Sequence, residues 1–257
     1  MRAANNKDKP ANGSFQRGRT CRWGLGTGLA RLPTIVPLKA LPHTMAAPCV
    51  RSVSLRLLLV RHGLSSFNQE RRIQGRDDLS NLTDEGHEQA RRLGQSLQEV
   101  SFSAVYSSRL QRAAATTASL LEAHGGQAPE VNFDDGLLEV DLEPWAGHSI
   151  DELTERFPEA YAIWKRRPME LELQRRDGST YQPLPELMEQ ARRFIADLLE
   201  RHPADRDDTV LLVGHNAILR CLMLVLLGEP ENGFRRLRVD NTSLSVFNLR
   251  PGDGRPQ

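Results

Sequence analysis

A chain of 257 residues, 39% of them hydrophobic, is long enough for one large α/β domain or two small ones around a real core. Its 34 basic and 33 acidic side chains give no electrostatic reason to expect nucleic acid as a partner, and its longest apolar runs, such as residues 222–227, fall far short of the roughly 20 residues of a membrane span. Three scattered cysteines (Cys21, Cys49, Cys221) exclude a disulfide scaffold and a paired-thiolate zinc site, and read as thiols in a reducing compartment.

The charge is unevenly placed. Residues 1–50 carry eight basic side chains against Asp8 alone, leaving 26 basic and 32 acidic residues for the rest. This segment is rich in Gly, Pro, Asn and Arg and lacks sustained periodicity, so it reads as a disordered extension. Gly24, Gly26, Gly28, Arg31 and Pro33 interrupt the apolar stretch of any secretory signal. A plastid-type transit peptide fits the arginines and the missing acids, yet Ser14 is the only serine among these fifty residues. The favoured reading is translation from Met45, a cytoplasmic protein, one folded domain over 51–250 and a tail over 251–257.

From residue 53 the chain alternates strand and helix. Residues 55–60 are apolar except for Arg56, as expected of a strand buried on both faces. Thr83 is placed as an N-cap with Asp84 and Glu85 against the helix dipole, and Ala90, Leu93, Leu97 and Val100 follow at helical spacing. Residues 102–106 read as a second strand, and 110–123 as a helix carrying Leu110, Ala114, Thr117 and Leu121 on one stripe. A charged, aromatic helical insertion is expected over 150–167. Pro185 then opens a helix whose Leu187, Ala191, Phe194, Leu198 and Leu199 share a face. Residues 209–213 form a third buried strand, followed by the very apolar helix Asn216–Leu227 closed at Gly228, and residues 243–249 give a last strand at the sheet edge. The alternation predicts a three-layer α/β/α sandwich with a mostly parallel central sheet.

Ligands of open α/β sheets bind beyond the carboxyl ends of the strands. Three strand ends here carry unusual residues. They read Arg61-His62-Gly63-Leu64-Ser65-Ser66-Phe67-Asn68, Ser107-Ser108-Arg109-Leu110-Gln111-Arg112 and Gly214-His215-Asn216. Two arginines, two histidines, an asparagine and a helix N-terminus together suit a dianionic phosphoryl group. Arg61 and Arg112 offer planar forks matched to phosphate oxygens, while Asn68 and the free amides at the start of the 216–227 helix add neutral donors. Two guanidinium charges repel a divalent cation and no HExxH-type spacing is present, so neither a metal nor another cofactor is expected. His62 follows a strand directly and precedes Gly63, which lets backbone and ligand approach closely. Its neutral imidazole can attack phosphorus in line, forming a phosphohistidine. The acid for the leaving alkoxide comes from the stretch Gly136-Leu137-Leu138-Glu139-Val140-Asp141, since a carboxyl group beside bound phosphate is pushed toward its protonated form. On chemistry alone Glu139, Asp141 and Glu143 all qualify.

In this order, Leu59-Val60-Arg61-His62-Gly63, Ser108-Arg109-Leu110-Gln111-Arg112-Ala113 and Val213-Gly214-His215-Asn216 resemble the histidine phosphatase superfamily, which also contains the cofactor-dependent phosphoglycerate mutases. The resemblance spans most of residues 55–249, including Arg72-Ile73-Gln74-Gly75-Arg76-Asp77 and Leu82-Thr83-Asp84-Glu85-Gly86. It implies a phosphoglycerate mutase-like fold, His62 as the phosphorylated nucleophile, and Arg61, Arg112 and His215 as the phosphate pocket. It also supports Glu139 as the acid, because the family acid follows a leucine-containing stretch shortly before a Trp-x-Gly element, here Trp145-Ala146-Gly147. Asn68 and Gly75 match positions lining the substrate entrance, and Ser65 and Asn216 are further candidate substrate contacts.

Two departures from the family bear on activity. Leu64 stands where many members have Glu, Gln or Thr, which removes a polar group near the pocket rim. The Arg-Arg-Ser-Tyr and proline-rich insertion of the mutases is not recognisable, and Arg166-Arg167-Pro168 reads as a solvated charged face. The expected activity is therefore that of a metal-independent phosphomonoester phosphatase. It would act on a small metabolite such as a sugar phosphate, phosphoglycerate or phosphoserine, in the manner of the cyanobacterial phosphoglycerate mutase-like phosphatases that the chain resembles. A phosphoglycerate mutase using the same pocket and a catalytically weak phosphoester-binding protein are the alternatives. The expected partner is the small phosphate ester, with neither nucleic acid nor membrane involved and a homodimer one option for the assembly.

Overall fold

The computed structural model describes residues 53–252. The expected extension over 1–50, with Cys21, Met45 and Cys49, lies outside them, as does most of the expected tail. Strand β1 (Leu55–Arg61) is followed by the one-turn helix α1 (Ser66–Gln69), helix α2 (Asp84–Ser96), strand β2 (Ala104–Ser107), helix α3 (Gln111–His124) and strand β3 (Val131–Phe133). Then come α4 (Ile150–Arg156), α5 (Pro158–Arg166), β4 (Leu173–Gln174), β5 (Thr180–Tyr181), α6 (Pro183–Arg201), β6 (Thr209–Gly214), α7 (Asn216–Leu227) and β7 (Leu244–Leu249).

Five strands form one sheet in the order β3-β2-β6-β1-β7. All neighbours are parallel except β7, which closes the edge antiparallel to β1. Alternate residues of the central strands project to opposite faces, and both faces are covered. Leu58 and Val60 of β1, Val105 of β2, and Leu211 and Val213 of β6 pack with Leu97, Ala113 and Leu120 on the α2–α3 side. Leu57, Leu59, Tyr106, Val210 and Leu212 pack on the other side with Leu187, Phe194, Leu198, Ile218 and Leu222 of α6 and α7. The three layers and the mostly parallel sheet are those expected from the alternation of elements. Among the described residues no helix is long and apolar enough to cross a membrane.

The differences are local. Of the expected α3 stripe Leu110 and Thr117 are buried, while Ala114 and Leu121 are half-buried and Ala113, Thr116 and Leu120 are buried in their stead. Small Ala, Thr and Ser side chains carry little periodic signal, and α3 is wedged between α2 and the sheet. The 150–167 insertion is two helices because Pro158 opens the second, and α6 begins at Pro183 rather than Pro185. The short edge strand β3 and the β4–β5 hairpin were not anticipated. The hairpin's signal was its Asp177-Gly178 turn dipeptide, set among polar residues that gave no strand alternation.

Candidate active site

Strands β1 and β6 run side by side and in the same direction, so their last residues, Arg61 and Gly214, are paired. The residues that follow, His62 and His215, are thereby delivered together, with ring centroids 5.1 Å apart. His62 is 2% exposed, and its Nδ1 lies 2.8 Å from the Gly63 carbonyl oxygen. A carbonyl can only accept, so Nδ1 carries the proton and the Nε2 lone pair of the neutral ring is left for chemistry. The loop itself is anchored by two side chains, Thr116 and Asn241. The Gly63 amide donates to Thr116 Oγ1, and the Asn241 side-chain amide donates to the His62 and Gly63 carbonyls and to Asn68 Oδ1. A Cβ on Gly63 would sit 2.5 Å from the Gly86 carbonyl oxygen. The packing of α2 therefore requires glycine there.

Arg61, His62, Asn68, Gly75, Arg112, Glu139 and Asn216 line one cavity of about 170 Å³ at the carboxyl ends of the strands. Arg112 is fully buried near the start of α3, and its two terminal nitrogens donate to the carbonyls of Gly75 and Asp77. Gly75 holds a φ of +52°, the left-handed turn that aims its carbonyl at this guanidinium. Arg61 donates to the Val239 carbonyl. His215 Nε2 is 2.8 Å from Ser108 Oγ at the end of β2. Among the described residues, six buried side-chain polar atoms lack a partner. Five are Arg61 Nε, Arg112 Nε, His215 Nδ1, Asn216 Oδ1 and Arg220 Nε. Unsatisfied buried groups are rare in folded proteins, and their gathering at one place marks a binding site for a polar ligand.

Glu139 also opens to this cavity while being only 9% exposed. Its Oε1 accepts from the amides of Val140, Ala217 and Ile218, and Oε2 from that of Ala217. The amides at the start of α7, expected to be free for phosphate, therefore hold this carboxylate instead. The competing acids are engaged elsewhere, Asp141 with Arg175 and Glu143 with Arg176, each at 2.8 Å.

Two further expectations are corrected. Ser65 is fully buried as the cap of α1, with its hydroxyl 3.0 Å from both Asn68 Oδ1 and Gln74 Oε1, so it positions the loop and does not line the cavity. Leu64 is not at the cavity either, since its backbone pairs with Gln89 and Thr83 of the α2 start. Among the cavity residues not anticipated for it are Arg220, Phe234 and Arg235. Arg220 lies one turn after Asn216, and its signal was a single charge within an otherwise apolar helix. Trp164 lines the cavity as well, while Trp145 belongs to the core.

Burial, followed by the charges of Arg112 and Arg61, holds His62 well below the usual histidine range, against the opposing hydrogen bond to Gly63. His215 is lowered in the same direction by burial and then by Arg112, His62 and Arg61. Both rings are neutral in the folded protein near pH 7. As pH falls below about 6.5 the unfolded chain binds protons that the folded one refuses, so these rings make the protein less stable. Each steepens the loss by at most about 1.4 kcal/mol per pH unit. Denaturant titrations between pH 7 and 5 should therefore show declining stability, and His215→Gln should flatten the decline. An identical slope in that variant contradicts the assignment.

Arginines and unpartnered polar atoms thus converge at the carboxyl edge of a mostly parallel α/β sheet. The chain belongs to the histidine phosphatase superfamily (branch 1), whose model matches residues 57–257, and it is an enzyme of the phosphatase class. It is 35% identical over 196 residues to a probable 2-carboxy-D-arabinitol-1-phosphatase of Arabidopsis thaliana, a match covering 76% of this chain and only 38% of that protein. It is 30% identical over 195 residues to phosphoserine phosphatase 1 of Hydrogenobacter thermophilus, covering 76% and 87% of the two chains. It is 35% identical over 193 residues to a probable phosphoglycerate mutase GpmB of Salmonella arizonae, covering 74% and 83%. Among solved structures, Bacillus stearothermophilus YhfR matches with a TM-score of 0.66 at 30% identity, covering 75% of this chain and 90% of that one.

Proposed function

We propose that the protein hydrolyses phosphate monoesters of a small metabolite without a metal, through a phosphohistidine at His62. The observation that carries this reading is the set of unpartnered buried polar atoms around a neutral histidine whose Nδ1 is tied to a carbonyl. Arg61 and Arg112 hold the phosphoryl oxygens. His62 Nε2 attacks phosphorus and the ester P–O bond breaks. The departing oxygen takes a proton from Glu139, whose Oε2 is the less engaged of its two oxygens. The phosphorylated ring is cationic, and its Nδ1–H bond to Gly63 stabilises that charge. Water then attacks the same phosphorus, Glu139 takes its proton, the P–N bond breaks, and orthophosphate and neutral His62 are regenerated.

The phosphoglycerate mutase name of one relative favours a second reading, in which the phosphoryl group returns to bound product. Against it, the mutase insertion is not recognisable, and Arg166 and Arg167 are exposed to solvent as a charged face. The test is phosphate release from an aryl phosphate and from a panel of phosphosugars, phosphoglycerates and phosphoserine. Turnover is expected to be unaffected by a chelator, because five guanidinium groups around the cavity repel a divalent cation. Loss of turnover on chelation, or transfer between phosphoglycerate hydroxyls outpacing phosphate release, overturns the reading.

A further inference from the structure

The cavity holds more positive charge than a phosphoryl group requires. Arg220 of α7 and Arg235 of the 3-10 segment Glu231–Arg236 open to the same space as Arg61 and Arg112. Phe234 between them is 1% exposed, and both guanidinium groups stand over its ring, 5.2 Å from the centroid for Arg220 and 5.5 Å for Arg235. Arg235 also stands 5.0 Å over Trp164 and donates to that residue's carbonyl. Aromatic faces thus hold two like charges side by side. The acids whose fields reach Arg220 are committed elsewhere, Glu139 to the amides of α7 and Asp240 to Arg238. Arg220 Nε is buried without a partner. Burial and then the neighbouring Arg220 charge lower the pKa of Arg235 from its ordinary value, as expected of an uncompensated pair.

Charge matching gives the ligand. A phosphoryl dianion answers Arg61 and Arg112. Arg72 is answered by Glu70 and Glu139 serves as the proton donor, which leaves the Arg220 and Arg235 pair to be answered by the substrate. We infer that Arg220 and Arg235 form a second anion subsite that receives a carboxylate on the leaving group, so that phosphate esters of small hydroxy acids are preferred over those of neutral polyols. This inference rests on the phosphatase reading above.

The test compares 3-phosphoglycerate with glycerol 3-phosphate, which differ only in carrying a carboxylate or a hydroxymethyl group. Wild-type kcat/KM should favour the carboxylate ester on the order of thirtyfold, as a charge-assisted hydrogen bond to a desolvated arginine allows. In Arg220→Gln and in Arg235→Gln the ratio should fall to within about threefold of unity, whatever the absolute rates. Arg220→Lys, which keeps the charge but loses the fork, should retain part of it. Arg235 is exposed, so its variant tests the subsite even where Arg220→Gln does not fold. Calorimetric binding of the two esters to the full chain gives a readout independent of turnover. Equal binding, a wild-type ratio near one, or a ratio unchanged in both glutamine variants overturns the subsite. An aryl phosphate turned over without discrimination between the esters leaves the phosphatase reading standing, whereas inertness toward every monoester removes that reading and leaves the subsite to be judged by binding.

Discussion

Conversion of His62 to alanine should lower aryl phosphate turnover by at least about 10⁴-fold while leaving a folded protein. The expectation follows from the ring's position and charge state. His62 is held at the end of β1 by backbone pairing to Gly214, by Asn241 and, through the Gly63 amide, by Thr116, and none of these contacts uses its own side chain. The ring's bond to Gly63 and its neutrality, enforced by burial and then by Arg112 and Arg61, both serve Nε2. His215 cannot substitute, because its Nε2 faces Ser108. Rapid-quench trapping should give an acid-labile phosphoenzyme in the wild type and none in the variant. Retention of more than about 1% of turnover by His62→Ala would exclude a phosphohistidine at this residue.

Glu139→Gln should divide substrates by their leaving groups. A glutamine carbonyl can still accept from the α7 amides, so the loop stays in place. What is lost is a transferable proton, worth about 10²- to 10⁴-fold when the departing oxygen is a poor leaving group. The pre-steady-state phosphorylation rate should collapse by that factor for an alkyl phosphate and change only about threefold for an activated aryl phosphate. The slow second half of the cycle should then convert aryl turnover into a burst, because the same carboxylate activates water. Asp141→Asn serves as the control, since that carboxylate is bound by Arg175. Equal losses on both ester classes would show that Glu139 acts through structure and not as an acid.

The strand ends were the most legible part of the chain. Apolar runs of five or six residues terminated by Arg-His or Gly-His leave little choice of meaning, because parallel strands place such ends on one edge of the sheet. Helix α7 was equally clear, since an apolar stretch ending at glycine has strong local signals at both ends. Helix α3 was less so, because alanine and threonine do not mark a face. The roles of Ser65 and Gly63 were misread for a related reason. A loop residue between site residues looks like a ligand contact, and only the packing of α1 and α2 shows that these two hold the loop against its neighbours.

Local order in the chain, then, was enough to establish the elements, the layered architecture and the residue types brought to the sheet edge, because periodicity and strand termini are short-range properties. Which groups share the cavity was decided by packing alone. Glu139 docks on amides 78 residues away, and Arg220, Phe234 and Arg235 meet Arg61 through contacts between elements far apart in sequence. Long-range contacts of this kind leave no periodic trace, so the grouping of charges around this cavity exists only in the folded molecule.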